Sequence, residues 1–269
     1  MCTVTFIAQK NGYALGMNRD EKLTRVKALP PRRQTINGQA ALFPSEPGGG
    51  TWIGVNAAGA TFALINWYSV RARVSASAVS RGLVVRAALG HGAASQADKE
   101  LRIFPLDRTN PFRLIGVFPN EEQVVEWRWN LSRLERVGHE WKTNIWISSG
   151  FDEPGAERSR HETFKSALRK RPVQNLHWLR NLHASHEPAP GPYSVCMHRE
   201  DAATVSYTEI AVSGLTARMS YSSGPLCESK MCACQTTELP LNSWLTDDEA
   251  PSIDGPGHSN ISRWTLPHP

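Results

Sequence analysis

The sequence predicts a layered α+β fold, and three observations carry this prediction. Strand patterns both open and close the main part of the chain, and two separate pairs of helical segments lie between the groups of strands. A parallel α/β sheet requires strands and helices to alternate strictly, and this order does not alternate. With 40% hydrophobic and 20% charged residues among its 269, the chain has the composition of a globular protein that buries a sizeable core.

The first elements are two hairpins. Thr3 to Ala8 and Tyr13 to Met17 are rich in apolar and β-branched residues and flank Asn11-Gly12, a pair typical of tight hairpin turns. A second hairpin is predicted over residues 52–56 and 60–66. The intervening residues 28–50 contain prolines and a glycine triplet, so we predict that they form a long loop lining a site.

Helical spacing begins after the second hairpin. Apolar residues between Ser80 and Gly90 follow a helical period, with Ser77 or Ser80 as the N-cap and Gly90 as a stop. The remaining predicted elements are helices at 94–101, 157–168 and 174–183, and strands at 112–118, 123–129, around Leu134, and at 144–148, 193–198, 207–212 and 215–221.

The C-terminal part of the chain has little periodicity. From Gly224 onward it is rich in Pro, Ser, Asp and Asn, a composition typical of extended segments. We therefore predict one domain over residues 1–224 and an extended tail over residues 225–269 that packs on or near it.

Charge and cysteine content narrow the class of protein. The net charge is +5, but Lys and Arg are scattered among acidic neighbours, which argues against a nucleic-acid partner. No apolar run approaches the roughly 20 residues that span a bilayer, so no integral membrane segment is predicted, and the first ten residues lack the features of a secretory signal. Five cysteines, an odd number with three crowded near the C-terminus, indicate a reducing, cytoplasmic setting rather than a disulfide framework.

Cys2 is the sharpest chemical feature. Removal of Met1 would leave a thiol and a free α-amine on one residue. An α-amine has an ordinary pKa near 7.7 to 8.0, so part of it is neutral at pH 7 and can act as the general base for the thiol. The alternative is that Cys2 is merely a small residue in an edge strand.

Asn18, Arg19, Asp20 and Glu21 form a polar run at the end of the second strand. Counting from the Asn11-Gly12 turn places this run beside Cys2 on the adjacent strand. Asp20 could orient the amine, and Arg19 could lower the pKa of the thiol. A solvated turn containing an Arg-Asp pair is the alternative.

Metal binding is not predicted. Cys232 and Cys234 are separated by one residue, which is shorter than usual zinc-ligand spacing, and a site that included Cys227 would also need Cys196 or a histidine. His177, His183 and His186 are expected to be surface or satisfied core histidines. The glycine triplet at 48–50 lacks a following Gly-Lys-Ser/Thr and is no phosphate loop. We expect it to let Trp52 reach the core or a pocket, and core packing is favoured.

Several motifs together resemble a known family, the NRDE proteins, also called the transport and Golgi organisation protein 2 family. They are MCTVTF at the start, NRDE at 18–21, GGTWIG at 49–54 followed by Asn56 and Gly59, and Ser80-Arg81-Gly82. The resemblance extends to about Gly224. It implies an N-terminal nucleophile hydrolase fold, a four-layer αββα sandwich, similar to penicillin V acylases and bile-salt hydrolases, in which an N-terminal cysteine cleaves a non-peptide amide.

The resemblance also implies roles for individual residues. Cys2 would be the nucleophile and Asp20 the residue that positions its amine, with Arg19 beside them and Asn66 in the oxyanion hole. Asn18, Trp52, Trp67 and Ser149 would contact the substrate. No cofactor is required.

The sequence departs from the acylases at three positions. Met17 stands where their arginine precedes the asparagine, Ser149 stands where a later oxyanion asparagine is expected, and Val205 stands where a further arginine is expected. These departures keep a second function open. It is a non-catalytic carrier of haem, acyl-CoA or another hydrophobic ligand, because the family is similar to proteins linked with haem trafficking and lipid handling.

Overall fold

Two antiparallel sheets stack face to face in the computed structural model, which describes residues 2–74, 78–171, 174–228 and 234–242. Sheet A has the strand order β10-β1-β2-β11-β12-β13, and sheet B has the order β3-β4-β5-β6-β7-β8-β9. The strands are β1 Cys2–Gln9, β2 Gly12–Lys22, β3 Leu29–Ile36, β4 Gln39–Ser45, β5 Ile53–Asn56, β6 Thr61–Asn66, β7 Phe112–Phe118, β8 Gln123–Trp129, β9 Leu134–His139, β10 Asn144–Ser148, β11 Ala202–Ser213, β12 Thr216–Ser222 and β13 Gln235–Pro240.

Four helices complete the layers: α1 Arg81–Leu89, α2 Ala94–Ile103, α3 Glu153–Lys170 and α4 Leu176–His183. One apolar core lies between the sheets, a second lies between sheet B and helices α1 and α2, and a third lies between sheet A and helices α3 and α4. The predicted α+β sandwich is confirmed, with the layer order αββα. None of the described helices has both the length and the apolar character needed to cross a bilayer.

The first hairpin is confirmed and is longer than predicted. β1 and β2 pair from Cys2 opposite Arg19 to Gln9 opposite Gly12, so the polar run at 18–21 lies inside β2. β2 is buried on both faces because the inter-sheet core covers one face and helix α4 covers the other. Successive side chains alternate between faces, and Arg19 therefore points away from Asn18 and Asp20.

The prediction of a loop over residues 28–50 was wrong. This segment forms β3 and β4, joined at Asn37-Gly38, where both residues have positive φ. That turn carries the same Asn-Gly signature as the first hairpin. Pro30 and Pro31 are tolerated because β3 is an edge strand of sheet B and because its pairing with β4 is irregular between Leu29 and Arg32.

The C-terminal part also differs from expectation. Residues 193–198, predicted to form a strand, are irregular: the Ser194 hydroxyl donates to the Cys196 carbonyl at 2.6 Å. In the predicted tail, β13 pairs with β12, so sheet A continues past the predicted boundary at residue 224. Residues 243–269 of the predicted tail lie outside the described residues.

Candidate active site

Cys2 lies where three strands meet at one end of sheet A. It pairs with Arg19 of β2 on one side and with Ser148 of β10 on the other. Its side chain faces the core between the sheets, is 8% exposed, and borders a cavity of about 300 Å³. The walls of this cavity, which we call the Cys2 pocket, include Arg19, Glu46, Trp52, Asn66 and Arg81.

The thiol of Cys2 is held in its protonated form. Burial raises the pKa of the thiol above its ordinary value, and the negative charges of Asp20 and Glu21 act in the same direction. The backbone N–H of Asp20 donates to the sulfur and opposes this shift, but burial prevails. Attack by Cys2 at neutral pH therefore requires a base that accepts its proton.

The charge of Arg19 is compensated inside the pocket. Its guanidinium contacts Glu46, with 2.6 Å between Nη2 and Oε1, and lies 4.3 Å from the ring centre of Trp52. Arg25 contacts the same Glu46 oxygen at 2.7 Å and Glu21 at 3.1 Å. Arg19 and Trp52 thus pack together in one wall of the pocket. The prediction that Trp52 packs in a buried position is confirmed, since the residue is 6% exposed.

Arg81 also borders the pocket, at the first turn of α1. A Cβ on Gly82 would lie 2.7 Å from the backbone nitrogen of Thr51 and 2.8 Å from the Cα of Gly50. This close approach explains why the GGTWIG and Ser-Arg-Gly motifs both need glycine. It brings the start of α1, and with it Arg81, against the pocket.

Arg81 has no carboxylate partner among the described residues. Its guanidinium donates to the carbonyl of Pro111 at 3.3 Å, and burial lowers its pKa from the ordinary value. The pocket therefore contains three guanidinium groups, those of Arg19, Arg25 and Arg81, against the carboxylates of Glu21 and Glu46. Among these groups, one positive charge therefore has no carboxylate counterpart.

Asp20 lies on the opposite face of β2 from the pocket. Its carboxylate accepts from the fully buried Arg160 at 3.2 Å and from the Thr204 hydroxyl at 2.7 Å. The β1–β2 register places Asp20 one residue beyond Arg19, towards the backbone nitrogen of Cys2. Asp20 is therefore held next to the position that the α-amine of Cys2 would occupy.

Arg160 was not predicted from the sequence as a site residue. It also donates to the Thr3 hydroxyl at 2.7 Å, so it links α3 to both strands of the first hairpin. The signal was present: Ala156, Arg160 and Phe164 follow one another at intervals of four residues, which places Arg160 on the buried face of α3.

The other predicted site residues divide into two groups. Asn66 borders the pocket, and its Nδ2 donates to the Tyr68 hydroxyl at 2.8 Å. Asn18, Trp67 and Ser149 are not among the residues that line the described pocket. Asn18 is buried on the helix side of sheet A, where it donates at 2.9 Å to the carbonyls of His183 and Val195. Its role in the structure is to hold α4 and the segment before β11.

Two serines lie at the end of β10, beside Cys2. Ser148, not Ser149, pairs directly with Cys2, and directly paired residues project from the same face of a sheet. The Ser148 hydroxyl is buried and has no hydrogen-bond partner among the described residues. Val205, at the place of the expected arginine, lies at a register shift between Thr204 and Ser206, where a bulge redirects the backbone beside the site.

The comparison with protein families decides the family. Residues 1–174 match the family described as Transport and Golgi organisation 2. The chain belongs to this family. No relative among functionally curated proteins is detectable from the sequence.

Two solved structures have a fold similar to that of this chain. Penicillin V acylase from Agrobacterium tumefaciens superposes with a TM-score of 0.50 and 11% identity, covering 89% of this chain and 86% of the acylase. A variant of conjugated bile acid hydrolase from Clostridium perfringens gives a TM-score of 0.51 and 9% identity, covering 93% of this chain and 100% of the hydrolase. At this level of identity the likeness is one of fold.

Proposed function

We propose that this protein is an amidohydrolase that uses Cys2 as an N-terminal nucleophile and acts on a non-peptide amide. The observation that carries the proposal is the position of Cys2. Its thiol borders a charged pocket, and its backbone nitrogen lies on the side of Asp20, which Arg160 and Thr204 hold in place. The proposal requires that Met1 be removed.

The reaction follows from these positions. The neutral α-amine of Cys2 accepts the thiol proton while the sulfur attacks the amide carbonyl, forming a C–S bond and a tetrahedral oxyanion. The amine then donates the proton to the leaving nitrogen as the C–N bond breaks. Water hydrolyses the resulting thioester and releases the acid. Asn66 Nδ2 and the Ser148 hydroxyl are the side-chain donors proposed for the oxyanion.

The position of Arg81 favours a substrate that carries an anionic group. A guanidinium without a carboxylate partner favours a ligand carboxylate or phosphate, which it can bind through two parallel hydrogen bonds. The pocket of about 300 Å³ has the size of a small-molecule site. We therefore infer that the substrate is a small acylated amine with a negative charge near the scissile amide.

Turnover of a panel of acylated amines tests the proposal, with matched compounds that carry or lack a carboxylate. The Cys2→Ala variant is expected to lose at least about a thousandfold in kcat/KM, whereas Cys234→Ala, a thiol outside the pocket, keeps it. Full turnover by Cys2→Ala would contradict the proposal.

A second candidate function, transport of a hydrophobic ligand such as haem or acyl-CoA, has an observation of its own. A neighbouring cavity of about 410 Å³ shares Arg19, Glu21 and Arg25 with the Cys2 pocket and includes Val26 and Val205 in its walls. Val26 is 71% exposed and Leu23, also in the wall, is 56% exposed, so apolar surface faces solvent there.

Titration with haem and with long-chain acyl-CoA tests this function. Binding that is unchanged in Cys2→Ala but weakened about tenfold in Val26→Asp would support it, and no binding below about 10 μM would count against it.

A further inference from the structure

Four potential metal ligands from separate segments converge beside the start of β11. His186 follows α4, Cys196 and His198 belong to the irregular segment before β11, and Cys227 follows β12. One ligand atom from each lies within 4.8 Å of all the others. We call these four residues the Cys-His cluster.

Four of the six separations within the cluster are close to those around a tetrahedral ion, and the other two are at most 4.8 Å. The two Nε2 atoms of His186 and His198 are 3.2 Å apart, and the two sulfurs of Cys196 and Cys227 are 3.4 Å apart. The His198 Nε2 lies 3.6 Å from the Cys196 sulfur and 3.3 Å from the Cys227 sulfur. Zinc bonds of roughly 2.0–2.1 Å to nitrogen and 2.3 Å to sulfur at tetrahedral angles give separations of about 3.3 to 3.8 Å.

We propose that His186, Cys196, His198 and Cys227 bind one Zn²⁺ ion. Two thiolates and two imidazoles are the donor set of a closed zinc site, in which the protein fills all four positions and leaves none for substrate. The site is therefore structural. This proposal is independent of the chemistry proposed for Cys2.

The surrounding hydrogen bonds hold the ligands in this arrangement. The Cys196 backbone N–H donates to the carbonyl of Ser185 at 2.9 Å, and the Cys196 carbonyl accepts from Ser194 at 2.6 Å. The segment on which Cys196 and His198 lie is thus fixed to the end of α4, close to His186. Backbone anchoring of this kind orients metal ligands before the ion binds.

The zinc site would stabilise the segment that supports Asp20. Met197, between the two ligands Cys196 and His198, donates its backbone N–H to Thr204 at 2.9 Å, and the Thr204 hydroxyl donates to Asp20 at 2.7 Å. The ion would also join this segment to the loop containing Cys227, which is exposed. Loss of the ion is therefore expected to loosen the support of Asp20 as well as the loop.

The sequence favoured no metal because the ligands are not grouped in a recognisable motif. Cys227 is close in sequence to Cys232 and Cys234, but Cys234 lies near Arg180 and Glu209, and Cys232 lies outside the described residues. Cys196 and His198, which lie next to Cys227 in the cluster, precede it by about thirty residues in the sequence.

The metal content of the purified full-length protein, measured by inductively coupled plasma mass spectrometry, tests the proposal. About one equivalent of zinc per chain is expected. The Cys227→Ser variant is the main test because Cys227 is exposed, so its replacement leaves the core intact. This variant is expected to lose the zinc on dialysis against a chelator, whereas Cys234→Ser keeps it.

Cobalt gives a second readout on the same protein. Co²⁺ titrated into the metal-free full-length chain is expected to show the visible absorption and thiolate charge-transfer bands of a tetrahedral site with two sulfurs, and Cys227→Ser should lose the bands of one sulfur. The proposal is overturned if the chain binds neither metal, or if Cys227→Ser and Cys234→Ser bind equally. A disulfide between Cys196 and Cys227, detected as an intact mass lower by two hydrogen atoms, would also overturn the proposal.

Discussion

The two cysteine-containing regions on either side of the end of β2 differ in what surrounds the sulfur. In the Cys2 pocket a single thiol lies among guanidinium groups and amides, and burial raises its pKa. In the Cys-His cluster two thiols lie within about 3.6 Å of an imidazole. A lone protonated thiol with a base beside it suits nucleophilic catalysis, whereas four converging soft donors suit a metal. The neighbours of each cysteine, rather than the cysteine itself, distinguish the two regions.

The two regions are also physically connected. Thr204 contacts Asp20 on the Cys2 side and Met197 on the cluster side. We therefore expect that catalysis at Cys2 and metal binding at the Cys-His cluster can be removed separately. Both regions nevertheless depend on the contacts of Thr204.

The largest expected effect is a separation of functions by two cysteine variants. Cys2→Ser should lose at least about a thousandfold in kcat/KM while it keeps its zinc. Cys227→Ser should lose its zinc while Cys2 stays in place, with a smaller loss of activity through Thr204 and Asp20. Metal content and turnover measured on the same preparations check this. If both variants lose both properties equally, the two regions are not distinct.

The next largest effect concerns the support that the regions share. Arg160→Met removes the buried guanidinium from Asp20, and breaking a buried ion pair in this way costs about 3–5 kcal/mol. The free energy of unfolding measured with urea checks this. Arg218→Met is the matched control, because Arg218 and Glu238 form a pair that is about half exposed, and such pairs contribute about 0–1 kcal/mol. Equal losses in the two variants would contradict the assigned role of Arg160.

Replacement of Arg81 should change which substrates bind. Arg81→Gln removes the cation without a carboxylate partner in the described part of the chain, and a hydrogen bond to a charged group contributes about 1.5–3 kcal/mol. KM for carboxylate-bearing amides should rise about 10- to 100-fold, with little change for their neutral analogues. A similar rise for both kinds of compound would show that Arg81 supports the pocket without recognising an anion.

The smallest expected effect is a pH profile that identifies the base for the thiol of Cys2. Because burial raises the pKa of Cys2, its proton must pass to the α-amine, which is a base only when neutral. The rate should therefore rise with pH up to the ordinary amine pKa of about 7.7 to 8.0 and level off above it. A flat profile from pH 6 to 9 would contradict the amine as base.

The sequence predicted local features better than distant contacts. Asn11-Gly12 determined the register that pairs Cys2 with Arg19, and α1 is delimited by Gly90 and by Ser80, one of its two predicted N-caps. The two prolines of β3 were misread because whether they lie at a sheet edge depends on the pairing of distant strands.

The same limit applies to the site, because several of its features depend on contacts between distant segments. The pairing of β10 with β1 places Ser148, rather than Ser149, directly opposite Cys2, and the sequence around these serines does not reveal that pairing. Arg160 and the Cys-His cluster depend on contacts between segments far apart in the chain. Arg160 had a helical-face signal, but the cluster had none that one sequence provides.

The most direct test of the central claim is mass spectrometry of the protein quenched during turnover of an acylated amine. The expected product is a peptide that begins at Cys2, lacks Met1, and carries the acyl group on the Cys2 sulfur. A peptide that retains Met1, or an acyl group on another residue while Cys2 stays unmodified during turnover, would contradict it.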